Sequence, residues 1–217
     1  MKHKVRLVII KIILFILVGN ANAAPMDDTI PFVGADFEWV NMRGKNDWGQ
    51  VLPKLNPGGN VYIGARFYKY IGLEFGYVGT GNLSKTTTFA PGSTFFTTPV
   101  GGTSVTYKLG VNGWHLNVLG YLPVGNCTDL ILSAGYATLK TRLKQTIPFT
   151  MRLDGPHRGL ARVGLGAQYQ VTDFVGIRAL AYWMQTSRLQ ITNVAFPISN
   201  KPFHDAYSLA IGFFFNF

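Results

Sequence analysis

The sequence predicts an all-β protein, an eight-stranded antiparallel transmembrane up-and-down β-barrel with four long extracellular loops. Three observations carry that reading. First, the stretch from His204 to Phe217 places Tyr207, Leu209, Ile211, Phe213, Phe215 and Phe217 at a period of two. In an extended chain these six share one face, and Ser208, Ala210, Gly212, Phe214 and Asn216 share the other. A water-soluble sheet would bury the aromatic face under a second layer. No covering segment follows, so lipid is the expected cover. Second, the same alternation recurs along the chain with charged residues on the opposite face. Third, the N-terminus reads as an export leader.

That leader begins with Lys2, Lys4 and Arg6, continues as an apolar run from Leu7 to Val18 broken by Lys11, and ends in Ala21-Asn22-Ala23. Small residues at those positions predict cleavage after Ala23, giving a signal peptide over 1–23 and one barrel domain over 24–217. The alternative, an uncleaved anchor, is disfavoured because the run is shorter than the ~20 residues a spanning helix needs. No cysteine follows the cleavage site, so a lipoprotein is not expected. Removing the leader takes away four basic residues and no acidic one, which lowers the formal net charge from +10 to +6 over 194 residues. For an exported protein this points to anionic surfaces such as lipopolysaccharide or sulfated glycans, and not to nucleic acid. Cys127 is the only cysteine, so no intramolecular disulfide is available and closure of the sheet must supply stability.

The first strand, Phe32 to Val40, turns Val33, Ala35, Phe37 and Trp39 toward lipid and Gly34, Asp36 and Glu38 inward. Two carboxylates on such a strand require a polar or ion-paired lumen, because an unpaired buried charge costs several kcal/mol. A first long loop is expected from Asn41 to about Gly59. Strands over Val61–Phe67 and Gly72–Tyr77 follow, joined by Tyr68-Lys69-Tyr70, with Arg66 and Glu74 on the inner face. A turn centred on Tyr70 would oppose those two charges directly. The Thr-, Ser-, Gly- and Pro-rich stretch from Thr80 to Gly102 reads as a second loop exposing Phe89, Phe95 and Phe96. Strand four is expected over Ser104–Leu122 with His115 and Asn117 inward, then a short turn at 123–128. Strand five turns Leu130, Leu132, Ala134 and Tyr136 to lipid, and Ser133 and Gly135 inward.

The segment from 140 to 158 holds Lys140, Arg142, Lys144, Arg152, His157 and Arg158 against one acidic residue, Asp154. It is expected to be a basic third loop, solvated at the lipopolysaccharide level. Strands six and seven run over Arg162–Tyr169 and Val175–Trp183, around the polar turn Gln170–Asp173. A last loop, 185–203, includes Pro197, Pro202 and the apolar patch Val194-Ala195-Phe196.

Several motifs carry a family resemblance. The terminal Phe217, the aromatics Phe213 and Phe215, and Gly212 six from the end resemble the assembly signal of outer-membrane β-barrel proteins. Tyr70 to Tyr77, Y-I-G-L-E-F-G-Y, resembles the third strand of OmpA-like transmembrane domains. The pattern R-x-G-x-G-x-x-Y, T-D, G-x-R at 162–178 resembles OmpA-like and opacity-type barrels. The resemblance spans the mature chain and implies a luminal charge network that includes Glu74, and engagement of the barrel-assembly machinery by the last strand. It covers only the barrel half of the OmpA-like proteins; their peptidoglycan-binding domain is not expected. Where the family carries a glutamate two residues after Arg178, this chain has Leu180, so Arg178 must find its carboxylate at Glu74, Glu38 or Asp36. The candidate network is therefore Asp36, Glu38, Arg66, Glu74, Arg162 and Arg178.

An eight-strand barrel has an interior that side chains can fill, which disfavours a wide pore. A lipocalin-like soluble barrel would place apolar residues inside, contrary to the inward charges. The leading functional reading is a surface-exposed structural or adhesion protein with a plugged polar lumen, contacting host glycans or proteins through its loops. The alternative is a narrow channel for ions or, as in OmpW-like barrels, small apolar solutes, suggested by inner glycines at 34, 64, 72, 76, 135, 164, 166 and 176. Such glycines can equally relieve crowding. Enzymatic activity is not expected: His204 and Asp205 face opposite ways in a strand, and His204 and Ser208 lie ~13 Å apart. No metal cluster or cofactor motif is present.

Overall fold

A computed structural model describes residues 29–92, 94–95, 98–99, 102, 104–147, 151–189, 201 and 203–217. The leader over 1–23 lies outside the described residues, as do Phe96, Pro202 and the Val194–Pro197 patch. Strands dominate: β1 (Ile30–Asn41), β2 (Leu55–Phe67), β3 (Ile71–Thr80), β4 (Leu83–Thr88), β5 (Thr94–Phe95), β6 (Thr98–Pro99), β7 (Ser104–Pro123), β8 (Thr128–Ile147), β9 (Met151–Asp154), β10 (Arg158–Gln170), β11 (Val175–Met184) and β12 (Ala206–Asn216). One helical turn, α1 (Trp48–Val51), and a 3-10 turn at Thr186–Arg188 interrupt them. Among the described residues no helix is long and apolar enough to cross a membrane.

Eight strands close on themselves in the order β7-β3-β2-β1-β12-β11-β10-β8, and the β7–β8 pairing completes the ring. All pairings are antiparallel, so every backbone group in the wall has a partner strand, as a lipid-spanning sheet requires. Outward positions remain exposed apolar side chains, for instance Leu165 at 64% and Ile63 at 60%. Along β12, Tyr207, Leu209, Ile211, Phe213 and Phe215 face out while Ser208, Ala210 and Phe214 are buried. Short turns join the strands at one end: 68–70, 124–127, which holds the exposed Cys127, and 171–174.

The other end departs from the sequence reading, because parts of the first and second expected loops and most of the third are sheet. β2 begins at Leu55, paired with Asn41, so the first loop is shorter than 41–59 and carries α1. β4 takes up part of the stretch read as the second loop and pairs with β7. The 140–158 segment is the upper half of β8 with β9 against it, so it is no irregular loop. Phe89, expected to be exposed, is 5% exposed. It joins Trp48, Leu52, Leu109, Leu143, Leu160, Phe203 and others in an apolar core beneath these extensions. Trp48 packs edge-on against Tyr107 at 6.0 Å, and β4 holds α1 through Lys85 Nζ to Gly49 O and Thr87 Oγ1 to Gln50 O. A second apolar core, with Phe32, Leu119, Tyr121, Ile131 and Phe214, fills the end with the short turns.

Most inner glycines seat rings, and at Gly135 and Gly166 an added Cβ would meet the neighbouring strand's backbone and side chain. A Cβ at Gly64 would overlap Phe32 Cζ, one at Gly76 would lie 2.5 Å from His115 Nε2, and one at Gly176 would overlap Phe214 Cζ. In all three cases the ring belongs to the residue directly opposite on the neighbouring strand. Overpacking such a site is costly. Gly176→Val is expected to lower stability by about 1–3 kcal/mol, read as a lower denaturant midpoint for vesicle-inserted protein.

Candidate functional site

The lumen between the two apolar cores is a polar layer. Arg178 on β11 donates from Nε to Asp36 Oδ1 at 2.9 Å and from Nη2 to Asp36 Oδ2 at 2.6 Å, a bidentate pair, while Nη1 reaches Glu74 Oε2 at 2.5 Å. Glu74 Oε1 accepts from Asn117 Nδ2 at 3.0 Å, and the same amide lies 3.2 Å from His115 Nδ1. His115 Nε2 is 2.8 Å from Asn60 Oδ1, and Asn60 Nδ2 donates to Asp36 Oδ2 at 3.2 Å. The bonds form a closed ring across the strands. Their polarity assigns the imidazole: Nδ1 accepts, so Nε2 carries the proton and the ring is neutral. At 3.9 Å from Glu74, His115 is therefore a neutral neighbour of the carboxylate.

A second, looser group sits beside it. Arg162 Nη2 reaches Glu38 Oε1 at 3.3 Å, and Ser208 Oγ donates to the same oxygen. Arg162 Nε and Nη1 have no acceptor among the described residues. Nearer the short turns, Arg66 Nη1 pairs with Asp129 Oδ2 at 2.8 Å, and Gln168 Nε2 donates to the same carboxylate at 2.9 Å. All six charges proposed from the sequence point into the barrel, but Arg66 and Glu74 are not partners. The turn centres on Lys69, which opposes Arg66 to Gly72 and Glu74 to Gly64. Tyr68 and Lys69 both take left-handed φ values, 48° and 44°, in this three-residue turn.

Each luminal arginine also lies on a tyrosine: Arg178 3.5 Å from the Tyr62 ring centre, Arg162 3.7 Å from Tyr182 and Arg66 4.2 Å from Tyr121. Behind each tyrosine is a glycine, respectively Gly34, Gly164 and Gly72, where an added Cβ would press into the ring. The wall thus repeats one unit three times, a glycine backing a tyrosine face that carries a guanidinium. Sequence reasoning missed it; a Gly on one strand and an inward Tyr on its neighbour are the only signal. Near the short turns a cavity of about 30 Å³ remains beside Arg66, Tyr121 and Phe214, room for a water or two.

The second site is the outer face of the β4-β7-β8-β9 extension. Cross-strand register puts Ser84, Lys108, Lys144 and Arg152 in one row, with Gly110, Arg142 and Asp154 in the row nearer the barrel. Lys108, Arg142 and Lys144 are exposed, while Tyr107, Leu109 and Leu143 on the opposite face are buried. Neighbouring strands lie ~4.8 Å apart, so the register sets the positions of Lys108, Lys144 and Arg152 at that interval, and the exposed like charges of Lys108 and Lys144, directly opposite each other, repel. Lys140 is 4.0 Å from Asp154, and Arg158 is exposed opposite Leu139. Lys108 was absent from the sequence-derived basic set because strand four gave no register to the segment opposite.

His204, Asp205 and Ser208 do not converge. Ser208 points inward to Glu38, Asp205 accepts from the Ser187 N–H at 3.2 Å, and His204 is exposed. Among the described residues no group of three or more His, Cys, Asp or Glu could hold a metal ion.

No protein-family model matches the sequence, and no curated protein matches it. Solved structures do. A major outer membrane protein from Thermus thermophilus superposes with a TM-score of 0.57 at 12% identity, covering 87% of this chain and 99% of that chain. Neisserial surface protein A, NspA, gives 0.53 at 12% identity, over 89% of this chain and 100% of that one. The fold is that of the small outer-membrane β-barrels. Ail, the attachment invasion locus protein of Yersinia pestis, solved with the heparin analogue sucrose octasulfate, gives 0.51 at 12% identity over 87% and 97%.

The charge ring makes unequal demands on its members. Arg178→Met leaves two buried carboxylates unpaired and should cost about 3–5 kcal/mol. Arg162→Met, which strands one carboxylate that keeps the Ser208 hydroxyl, is expected to cost less. Equilibrium unfolding of both variants in lipid vesicles reads the difference.

Proposed function

We propose that this protein is a surface-exposed outer-membrane scaffold with a sealed lumen, and that it acts by presenting its extracellular sheet to sulfated glycans of a host or neighbouring cell. The observation that carries the proposal is the row Lys108, Lys144 and Arg152. It places three cationic residues side by side in register, on a sheet face where Lys108 and Lys144 are exposed and whose reverse side is buried. A chain of sulfates relieves that repulsion with several contacts at once. The likeness to Ail in fold is compatible with such a role and supplies no residue-level argument.

In this reading residues 1–23 are an export leader removed at the inner membrane. Gly212, Phe213, Phe215 and Phe217 at the C-terminal end are the residues offered to the barrel-assembly machinery, and lipopolysaccharide surrounds the basic rows. The six luminal charges serve closure of the barrel. Support for a sealed lumen comes from three successive fillings, apolar core, ion-paired ring and apolar core, with rings seated over the inner glycines at 34, 64, 72, 76, 164 and 176. Neither group transfer nor hydrolysis is assigned to the protein.

Because the basic segment is sheet, point substitution is the appropriate test. The double variant Lys108→Gln, Lys144→Gln should lose about tenfold or more in affinity for immobilised heparin at low salt, with heat-modifiable gel mobility unchanged; wild-type affinity in the variant would refute the glycan reading. The channel alternative is tested separately. The mature protein in a planar bilayer should be silent, and discrete openings altered by Glu74→Ala would establish conduction instead.

A further inference from the structure

A groove of about 490 Å³ lies on the outer wall where β1, β2, β3 and β7 leave the apolar band. Its floor is bare backbone. Gly59 on β2 pairs with Gly79 on β3, Phe37 stands opposite Gly59 on one side, and Asn112 opposite Gly79 on the other. Tyr77 bounds the groove on the membrane side and Arg142 on the loop side.

The fold does not require these glycines. An added Cβ at Gly59 would meet nothing nearer than Asp36 O at 3.6 Å, and at Gly79 nothing nearer than 3.8 Å, and neither has a left-handed φ. This is the reverse of the inner glycines, where a ring occupies the Cβ position. A glycine in a strand loses packing and conformational entropy, and on this wall it exposes backbone. Two of them side by side leave a flat patch that a ring can approach closely.

Depth and charge specify the occupant. On the outer face of β8 the sequence changes from Leu130, Leu132, Ala134 and Tyr136 to Lys140, Arg142 and Lys144, so the groove lies at the bilayer surface. Beneath it the stacked pair Phe75–Trp114 and the edge-on Tyr77 make an aromatic band. Asn112 Nδ2 donates to the Tyr77 hydroxyl at 2.6 Å, which fixes that ring as a side wall. Arg142 is exposed on this rim, with Asp154 opposite it in register on β9. A ligand fitting these features has a polar ring with a C–H face that can lie on the bare backbone, an anionic substituent and an apolar tail.

We propose that the groove binds the phosphorylated sugar headgroup of an outer-leaflet glycolipid. A sugar ring lies on Gly59 and Gly79 against Tyr77, its phosphate meets Arg142, and its acyl chains run down the wall past Phe75 and Trp114. The site is separate from the Lys108 row and rests only on the orientation that puts the long connections outside.

The test uses full-length mature protein in phosphatidylcholine nanodiscs containing a small fraction of diphosphoryl lipid A or, in parallel, phosphatidylglycerol, with retained lipid counted by native mass spectrometry. Wild type should retain lipid A in preference to phosphatidylglycerol. Gly79→Leu, which fills the groove without changing charge, and Arg142→Gln should each weaken retention about tenfold. Lys108→Gln should leave it unchanged while weakening heparin binding, which separates this site from the glycan surface. Gly59→Leu serves as a second filling variant should Gly79→Leu lack the folded gel mobility. Equal retention of phosphatidylglycerol, undiminished lipid A on the filled groove, or no retained lipid at all would each overturn the proposal.

Discussion

The structure depends on how three arginines are kept inside a barrel whose outside is lipid. A guanidinium there needs both an anion and a surface to lie on, and the chain supplies each by long-range pairing. Arg178 has the fullest set: two oxygens of Asp36, one of Glu74 and the face of Tyr62. Tyr62 can lie flat only because Gly34 opposite it has no side chain. Remove the glycine and the ring tilts, the guanidinium loses its seat and two carboxylates lose their cation. Much of the inner glycine content thus follows from charge burial, and little of it from backbone flexibility.

The eight strands and three short turns were legible because lipid and lumen impose opposite chemistry on alternate residues. Arg178's partners were narrowed to three carboxylates because the family resemblance puts a glutamate where this chain has Leu180; two of them, Asp36 and Glu74, hold it, and Glu38 pairs with Arg162 instead. The partner of Arg66 was not legible. Tyr68 and Lys69 occupy left-handed backbone positions that usually call for Gly, Asn or Asp, so the turn centre fell one residue away from its expected place and the register moved by two. The upper part of β8 was missed for another reason. Thr141, Leu143 and Gln145 alternate with Arg142 and Lys144 as a strand should, but above the bilayer the outer face is cationic and the lipid signature disappears. The apolar core under these extensions draws Trp48, Phe89 and Phe203 from distant segments, and no local period announces it.

Both exterior sites follow from one architectural fact, that the sheet continues past the bilayer on one side of the barrel only through β4, β7, β8 and β9 among the described residues. The inner face of that extension packs into an apolar core, and its other face carries the cationic row. Lower down, at the edge of the lipid, the same strands meet the glycine-floored groove. Burying an apolar core and presenting a charged exterior are thus two faces of the same strands.

The charge ring also constrains the order of events during biogenesis. Asp36 and Arg178 are 142 residues apart in sequence, Glu74 and Arg178 104, Glu38 and Arg162 124, and Ser208 and Glu38 170. No single hairpin contains a complete ion pair of this set. A partly inserted sheet would hold carboxylates and guanidinia in hydrocarbon with no counter-charge, at several kcal/mol each, so stepwise insertion hairpin by hairpin is disfavoured. A wall that curls and meets its own first strand before, or as, it enters the bilayer avoids that cost, because each of these charges then enters with its partner.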